Sequence, residues 1–392
     1  MRKRSIPKEQ KTGRWLMLAV ATLSVVVVLQ YAGIIPPYQK GRAGMASAGK
    51  LTVGWIGPLT GPVDFLGKEN IKAIQMAVDG HNASRQHSEP EIELVAQDDR
   101  YDPAISIQLY DDMVARYHPA VIFVNTYSAM FPIAKRALRD QVIIINPLDN
   151  DKHLSILSPN VFLIAKQSEE LGETMAGDIL GRSFKKVKIT YYSGDDFMPS
   201  VAFSLNEALQ KAGIEVIMHN YKTLEEATVN EHADLIKKVR PDANVFLGYS
   251  ETGLLMRRYR DEGISAVFYA INTTAKDTSR GALEGARILQ FSADGGSRAL
   301  VESFLDQYKK TYQADIIQPW TVLQAHDAAG ILINAVKKAA NQNISMSSLR
   351  QQLLQTQNFS GLSGVISIGE NGASHGIVWS MYDFRNGKLV KQ

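Results

Sequence analysis

The residues of this sequence best able to do chemistry by type and spacing are two acidic pairs, Asp98-Asp99 and Asp195-Asp196, each following a β-rich run. Paired carboxylates can share general acid and base roles. Asp102-Pro103 stands close to the first pair, however, and Asp before Pro is the pattern of a turn opening a helix, so capping is the expected role there. The eight histidines, at positions 81, 87, 118, 153, 219, 232, 326 and 375, have none of the compact spacings that close around a metal. The chain has no cysteine, which removes thiolate nucleophiles, thiolate-ligated zinc, iron–sulfur clusters and Cys-linked lipid. A Gly-x-Ser-x-Gly elbow, a phosphate-binding Walker loop and a Gly-x-Gly-x-x-Gly fingerprint are all missing from the strand ends. No catalytic residue, metal ligand or cofactor is expected, and the chain reads as a binder rather than an enzyme.

Binding chemistry must then come from loops, and loops are positioned by the elements between them. Leu51–Ile56 reads as a strand, followed by the Gly/Pro loop Gly57–Pro62 and a helix carrying Ile71, Ile74 and Val78 on one face. Strands are predicted at Ile92–Ala96, Val121–Val124 and Val142–Ile145, with helices after Pro103 and over Ala129–Arg139. The alternation restarts at Val161–Ile164: helix Ser168–Leu180, strand Val187–Tyr192, helix Ser200–Ala212, strand Glu215–Met218, helix Asn230–Val239, strand Asn244–Leu247, helix Glu251–Gly263. Helices near Arg298–Thr311, Trp320–Ala339 and Met346–Leu354 lead to a β-rich tail at Gly364–Ile368 and Gly376–Phe384 with an Asn386-Gly387 turn. Arg257, Arg258 and Arg260 read as the solvated face of their helix. Alternating β and α elements predict parallel sheets covered by helices, and this many elements predicts two α/β lobes. The loops at 57–67, 125–129, 147–151, 193–198, 248–251 and 270–274 fall at strand carboxyl ends. In open parallel sheets that is where ligands bind and where helix N-termini offer free amide donors.

Composition sets limits on the partner. The 392 residues are 45% hydrophobic and 21% charged, which is ordinary globular material. The net charge of +3 divides unevenly: residues 1–49 hold eight cations and one anion, so the remaining 343 residues are net −4. A mildly acidic body has no extended phosphate-binding surface, and nucleic acid is not expected as a partner. The basic N-terminus precedes a charge-free run, Trp15–Leu29, which extends to Ile35. A helix over residues 15–35 would be ~31 Å long, enough to span a bilayer. Flanking cations put the N-terminus in the cytoplasm and the body outside. An uncleaved inner-membrane anchor is the expectation, with a cleaved signal as the alternative and residues 36–49 as a tether.

The order and spacing of several motifs resemble the leucine/isoleucine/valine-binding family of type I periplasmic binding proteins, the substrate-binding proteins of ABC transporters. These motifs are Val53-Gly-Trp-Ile-Gly-Pro-Leu-Thr-Gly-Pro-Val63, Gly67, Ala77-Val-Asp-Gly-His-Asn82, Asp98-Asp-Arg-Tyr-Asp-Pro103 and Val142-Ile-Ile-Ile-Asn-Pro147, then Asp195-Asp-Phe197, Leu209-Gln-Lys-Ala-Gly213 and Gly248-Tyr249. The resemblance covers about residues 50–390. It implies two Rossmann-like lobes with parallel sheets, joined by a three-crossover hinge and preceded here by one hydrophobic helix. The lobes would comprise residues 50–166 with 293–361 and residues 167–292 with 362–392. The crossings would fall near 163–167, 289–293 and 361–367.

The resemblance also implies ligand-binding positions. The hydroxyl and amide that hold a ligand carboxylate fall on Tyr127 and Ser128. Leu66 and Leu148 line the cavity, and Asn150 takes a threonine position in the loop Pro147-Leu-Asp-Asn150. Phe197 replaces an aromatic that usually carries a hydroxyl, Tyr249 keeps its aromatic, and Asn272 stands where an acidic residue commonly meets the ligand ammonium. Asp149 could supply that missing charge. The implied function is capture of a small polar organic ligand (amino acid, amide or similar) outside the cytoplasm and delivery to an ABC permease. A membrane-anchored sensory receptor using the same cleft is the alternative.

Overall fold

The computed structural model describes residues 49–249, 251–271, 281–292, 298–316, 318–340 and 344–391. The expected helix over residues 15–35 lies outside them. Among the described residues no helix is long and apolar enough to cross a membrane.

Two sheets carry the architecture. The first contains β1 (Lys50–Gly57), β2 (Glu91–Asp98), β3 (Val121–Val124), β4 (Ile143–Asn146) and β5 (Val161–Leu163), all parallel, in the order β2-β1-β3-β4-β5. The second contains parallel strands β6 (Lys186–Tyr192), β7 (Glu215–Tyr221), β8 (Ala243–Leu247), β9 (Val267–Ile271) and β10 (Arg287–Phe291), in the order β7-β6-β8-β9-β10. Both sheets thus repeat one winding, with the reversal of strand order beside the first strand. Every residue of β3 and β4 is buried, as the unbroken apolar runs predicted.

Helices cover both faces of the first sheet. Val53 and Trp55 of β1 pack in the core that holds α1 (Phe65–Ser84), while Ile56 joins α2 (Pro103–Tyr117) and α3 (Tyr127–Asp140) on the opposite side. Gly54 is required there, because a Cβ would collide with the Met113 sulfur. On the second sheet, α4 (Ser168–Leu180) and α5 (Phe197–Lys211) pack against one face. The helices α6 (Glu226–Val239) and α7 (Thr252–Asp261) pack against the other. The helix α8 (Arg298–Tyr312) is followed by α9 (Pro319–Ala340) and α10 (Met346–Leu354).

Several predicted details shift. The helix expected from Ser200 starts at Phe197, because the Asp195 carboxylate accepts the Met198 N–H at 3.1 Å and nucleates an earlier first turn. The tail over 376–384 is two strands, β13 (Ser374–Ile377) and β14 (Trp379–Arg385). It joins β11 (Phe359–Ser360), β12 (Gly364–Ile368) and β15 (Lys388–Lys391). Strands β11, β12 and β13 make a small antiparallel sheet, and only β14 and β15 extend the second large sheet. The third passage between the large sheets therefore falls at Val378, later than 361–367. The physical reason is that Ala373 still bridges Leu163 of β5, and the Val378 N–H is bonded to the Ser363 carbonyl. Arg260 is not simply solvated: its guanidinium lies 3.9 Å from the Phe268 ring centre and donates to the Ala282 and Glu284 carbonyls.

Two of the passages are tied to α9, the last of them through the 362–363 turn to which Val378 is bonded. Gln324 Oε1 accepts the Lys166 N–H at 2.6 Å. Buried Asp327 accepts the N–H groups of Leu362 and Ser363, each at 2.7 Å, and the Ser363 hydroxyl at 2.5 Å.

Candidate functional site

The site is built from loops at the carboxyl ends of β1, β2, β3 and β4 on one side and of β6 and β8 on the other. At the first of these, Gly67 sits so close to the Pro58 carbonyl that a Cβ has no room, which folds residues 58–67 back over β1. Leu66 lies half-buried in this segment. Asp98 holds the same loop, accepting the backbone N–H groups of Leu59 and Thr60 and the Thr60 hydroxyl at 2.8, 3.2 and 2.6 Å. Burial pushes the Asp98 carboxyl up, but the Thr60 hydroxyl and three backbone N–H groups outweigh it, and the net shift is downward.

Asp99, fully buried, does the complementary work. It accepts the Ser106 and Thr126 hydroxyls at 2.7 and 2.6 Å and the Tyr101 N–H at 2.8 Å. Asp102 caps α2 through the Ala104 and Ile105 N–H groups, as its place before Pro103 predicted. Between these anchors Arg100 and Tyr101 both adopt left-handed backbone, with φ of 54° and 62°. Non-glycine residues held there cost about 1 kcal/mol each. The Tyr101 hydroxyl is pushed up by burial and by the charges of Asp149, Asp195 and Asp99.

Tyr127 is buried, and burial together with the nearby Asp151, Asp196 and Asp149 charges raises its hydroxyl. Ser128 beside it is exposed. Asn125, at the carboxyl end of β3 against Gly57 of β1, is fully buried, and neither atom of its amide has a hydrogen-bond partner among the described residues. Such a group is uncommon and calls for a partner.

The loop after β4 turns on Asn146, whose Oδ1 accepts the Leu148 and Asp149 N–H groups, each at 2.8 Å. Leu148 is buried. Asn150 serves the crossover: its Nδ2 donates to the Ala165 and Ser374 carbonyls at 2.9 and 3.0 Å, and its own carbonyl accepts the Ser168 N–H. Its amide donors are therefore engaged inside the protein. Asp149 is raised to about 7 by burial and by the neighbouring Asp151 and Asp195 charges, against a hydrogen bond from Asn146.

From the second sheet, Tyr249 donates its hydroxyl to Asp195 Oδ2 at 2.6 Å, and its ring meets Tyr192 edge-on with centroids 5.8 Å apart. Burial raises the Asp195 carboxyl beyond what the Tyr249 hydroxyl and two backbone N–H groups pull down. Phe197 is half-buried at the start of α5. Asn272 lies outside the described residues. Burial, Asp195, Tyr101 and Asp149 together hold the Tyr249 hydroxyl protonated. Two of those groups belong to loops of the first sheet, so the loops of both sheets converge. The predicted Tyr127 and Tyr249 are brought together with Tyr101, Asp149 and Asp195. Sequence reasoning did not place Tyr101 or Asn125 in the site. The run Asp98-Asp-Arg-Tyr101 was the available signal for Tyr101. Among the described residues no group of His, Asp and Glu could hold a metal ion.

A sequence profile of the family described as periplasmic binding protein matches residues 50–382. The chain belongs to that family. Its members bind solutes rather than transform them, so this binding protein is not an enzyme. A relative in Brucella melitensis, named Leu/Ile/Val-binding protein homolog 3, is 22% identical over 88% of this chain and 95% of its own length. The substrate-binding protein LivJ of Streptococcus pneumoniae, solved with isoleucine, is 19% identical with a TM-score of 0.72, covering 87% of this chain and 97% of that one. A solute-binding protein of R. palustris solved with benzoate is 16% identical with a TM-score of 0.70, covering 87% and 95%. At this level of identity the likeness fixes the type I fold, and ligands as different as isoleucine and benzoate occupy it.

Proposed function

We propose that this binding protein captures a small polar organic ligand, an amino acid, amide or similar molecule, outside the cytoplasm and presents it to an ABC permease. The observation that carries the reading is the convergence of Tyr249 and Asp195 from one sheet with Tyr101 and Asp149 from the other. Family membership and relatives named for binding leucine, isoleucine and valine support it. In this reading residues 50–166 and the segment from 293 form one lobe and residues 167–292 the other. The chain's last strands, from Trp379, complete the second. Contacts available from both sides only in the shut arrangement let ligand shift an existing open–closed equilibrium, the permease responding to the closed form. Residues 15–35 anchor the body to the inner membrane.

A thermal-shift screen of amino acids, amides and small carboxylates against the purified chain tests the reading, because a ligand that binds only the native state raises apparent stability. A concentration-dependent rise that Tyr249→Ala removes is the expected result. No rise with any compound would refute capture of a ligand of this class. Mass spectrometry of the mature N-terminus checks the anchor: a chain starting near Gly49 overturns it.

A further inference from the structure

We infer that the groove between α8 and β15 sets how tightly the protein holds its solute: its apolar walls meet when the ligand cleft is open and part when the cleft shuts. This rests on the two-lobe reading above, in which α8 belongs to one lobe and β14 and β15 to the other. It adds affinity-setting residues that lie outside the cleft.

Strand order places the groove. The second large sheet runs β7-β6-β8-β9-β10-β14-β15. Its cleft loops follow β6 and β8. Next come β10, where the second passage leaves at Phe291, and β14, where the third arrives at Trp379. The rings of Phe291 and Trp379 have centres 6.4 Å apart, and Trp379 lies 6.0 Å from Trp320 at the start of α9. These rings mark the pivot. Strand β15 is outermost in the sheet, beyond the pivot from the cleft loops.

The helix α8 faces that outer edge. Val301 and Leu305 of α8, with Tyr382 of β14 and Leu389 of β15, line a groove of about 600 Å³. Val301 is buried, Leu305 and Tyr382 are half-buried, and Leu389 keeps 37% of its surface exposed. Tyr382 is steadied from the passage, its hydroxyl donating to the Ser292 hydroxyl oxygen at 3.3 Å. Leu389 and Lys391 share one face of β15, as the period of a strand requires. Lys391 also lines the groove, and Glu302 puts the opposite charge on the α8 wall.

Two apolar walls that are partly wet gain free energy by meeting. A rotation about the pivot that draws the cleft loops together must separate elements on the pivot's other side. Contact across the groove therefore favours the open cleft. Because the apparent Kd is the intrinsic Kd divided by the closed fraction, this contact weakens binding of any solute without touching it.

The test fills the groove from either wall, with Leu305→Trp and with Leu389→Trp. The chain has no cysteine, so spin labels on Lys68→Cys, in the first turn of α1, and Lys222→Cys, just beyond β7, report the cleft width. Both lysines are exposed. Double electron–electron resonance on the purified full chain, with no ligand added, shows each filler moving the distribution to shorter separations. Leu254→Trp, at an exposed apolar position on α7, leaves it unchanged, and melting curves check that every variant folds. By calorimetry with leucine, leucinamide and benzoate, a probe that binds the unfilled protein gains about tenfold in both fillers. Unchanged separations in both fillers, or an equal shift in Leu254→Trp, overturn the inference whatever binds. Shortened separations without a gain for a bound probe overturn the affinity-setting role. Shortened separations with no probe binding any variant support the groove's coupling to the cleft and count against the solute reading instead.

Discussion

Uncompensated charge lies at two places on the seven-stranded sheet, and the two differ in what can relieve it. At the carboxyl edge, half-buried Asp195 and Asp149 approach each other from loops of different sheets. On the face towards α6 and α7, Lys188 is fully buried, with Nζ donating to the Thr190 hydroxyl at 2.5 Å and the Tyr259 hydroxyl at 3.3 Å. His232 Nδ1 lies 3.5 Å from the same nitrogen. None of these partners is a carboxylate. Burial pushes Lys188 down to about 7, while burial and the charges of Lys188 and His219 push His232 down to about 3. Inside the core the only escape is loss of a proton. At the edge, separation of the loops or arrival of a counter-charge also works. Charge strain in a closed core lowers stability, whereas strain at an opening can be converted into affinity.

The largest effect expected is from the sealed cluster. Lys188→Met should raise the unfolding free energy at pH 7 by about 3 kcal/mol, measured by urea denaturation. The folded-state pKa is depressed, so between about 7 and 10.5 only the unfolded chain holds the proton. Wild-type stability therefore rises relative to the variant as pH climbs through that window, and the gap is constant below it. A gap equally wide at pH 10 would refute neutralisation of Lys188.

Next comes the ring that joins the two sides of the cleft. Tyr249→Ala should weaken binding of whichever probe is found by ~30-fold, about 2 kcal/mol, with little change in melting temperature. An equal loss of stability would make Tyr249 a packing residue and blur the contrast between edge and core.

Asp149→Asn should stabilise the ligand-free protein by only about 1 kcal/mol at pH 8, since solvent and loop separation already relieve this site. Its folded-state pKa is raised, so wild-type stability falls as pH rises from 3.8 to about 7 and the gain vanishes near pH 4. A gain matching that of Lys188→Met would mean the edge is as sealed as the core. The smallest effect expected is from Tyr101→Phe, about 0.5 kcal/mol in stability. Urea denaturation of the variant checks this.

Much of the fold was legible because its signals are local. The apolar runs at Val121–Val124 and Ile143–Ile145, the Pro103 helix start and the Asn386-Gly387 turn each declare themselves within a few residues. The site was less so. The left-handed pair Arg100-Tyr101 contains no glycine, and it exists only because Asp99 reaches Thr126, 27 residues away. Asn150 looked like a ligand contact, yet its donors go to carbonyls at positions 165 and 374, which no sequence window spans. Lys188 alternates with apolar residues as an exposed strand lysine would, and only the helices packed over it show that it is buried. Tyr249 follows a buried strand, the place where loops meet ligands, and that local signal marks it in the sequence.

The grip of α9 on the connections has a mechanical consequence. Gln324 and Asp327 are three residues apart, on one face of the helix; Gln324 holds the first passage at Lys166, and Asp327 holds the 362–363 turn whose Ser363 carbonyl accepts the Val378 N–H of the last passage. Two attachment points so close together act as an axle: they permit rotation of one sheet about a line through that turn, while sliding or pulling apart requires breaking buried bonds. Lengthening either passage by insertion would leave this axle in place; loosening Asp327 would free the hinge to move along more than one axis.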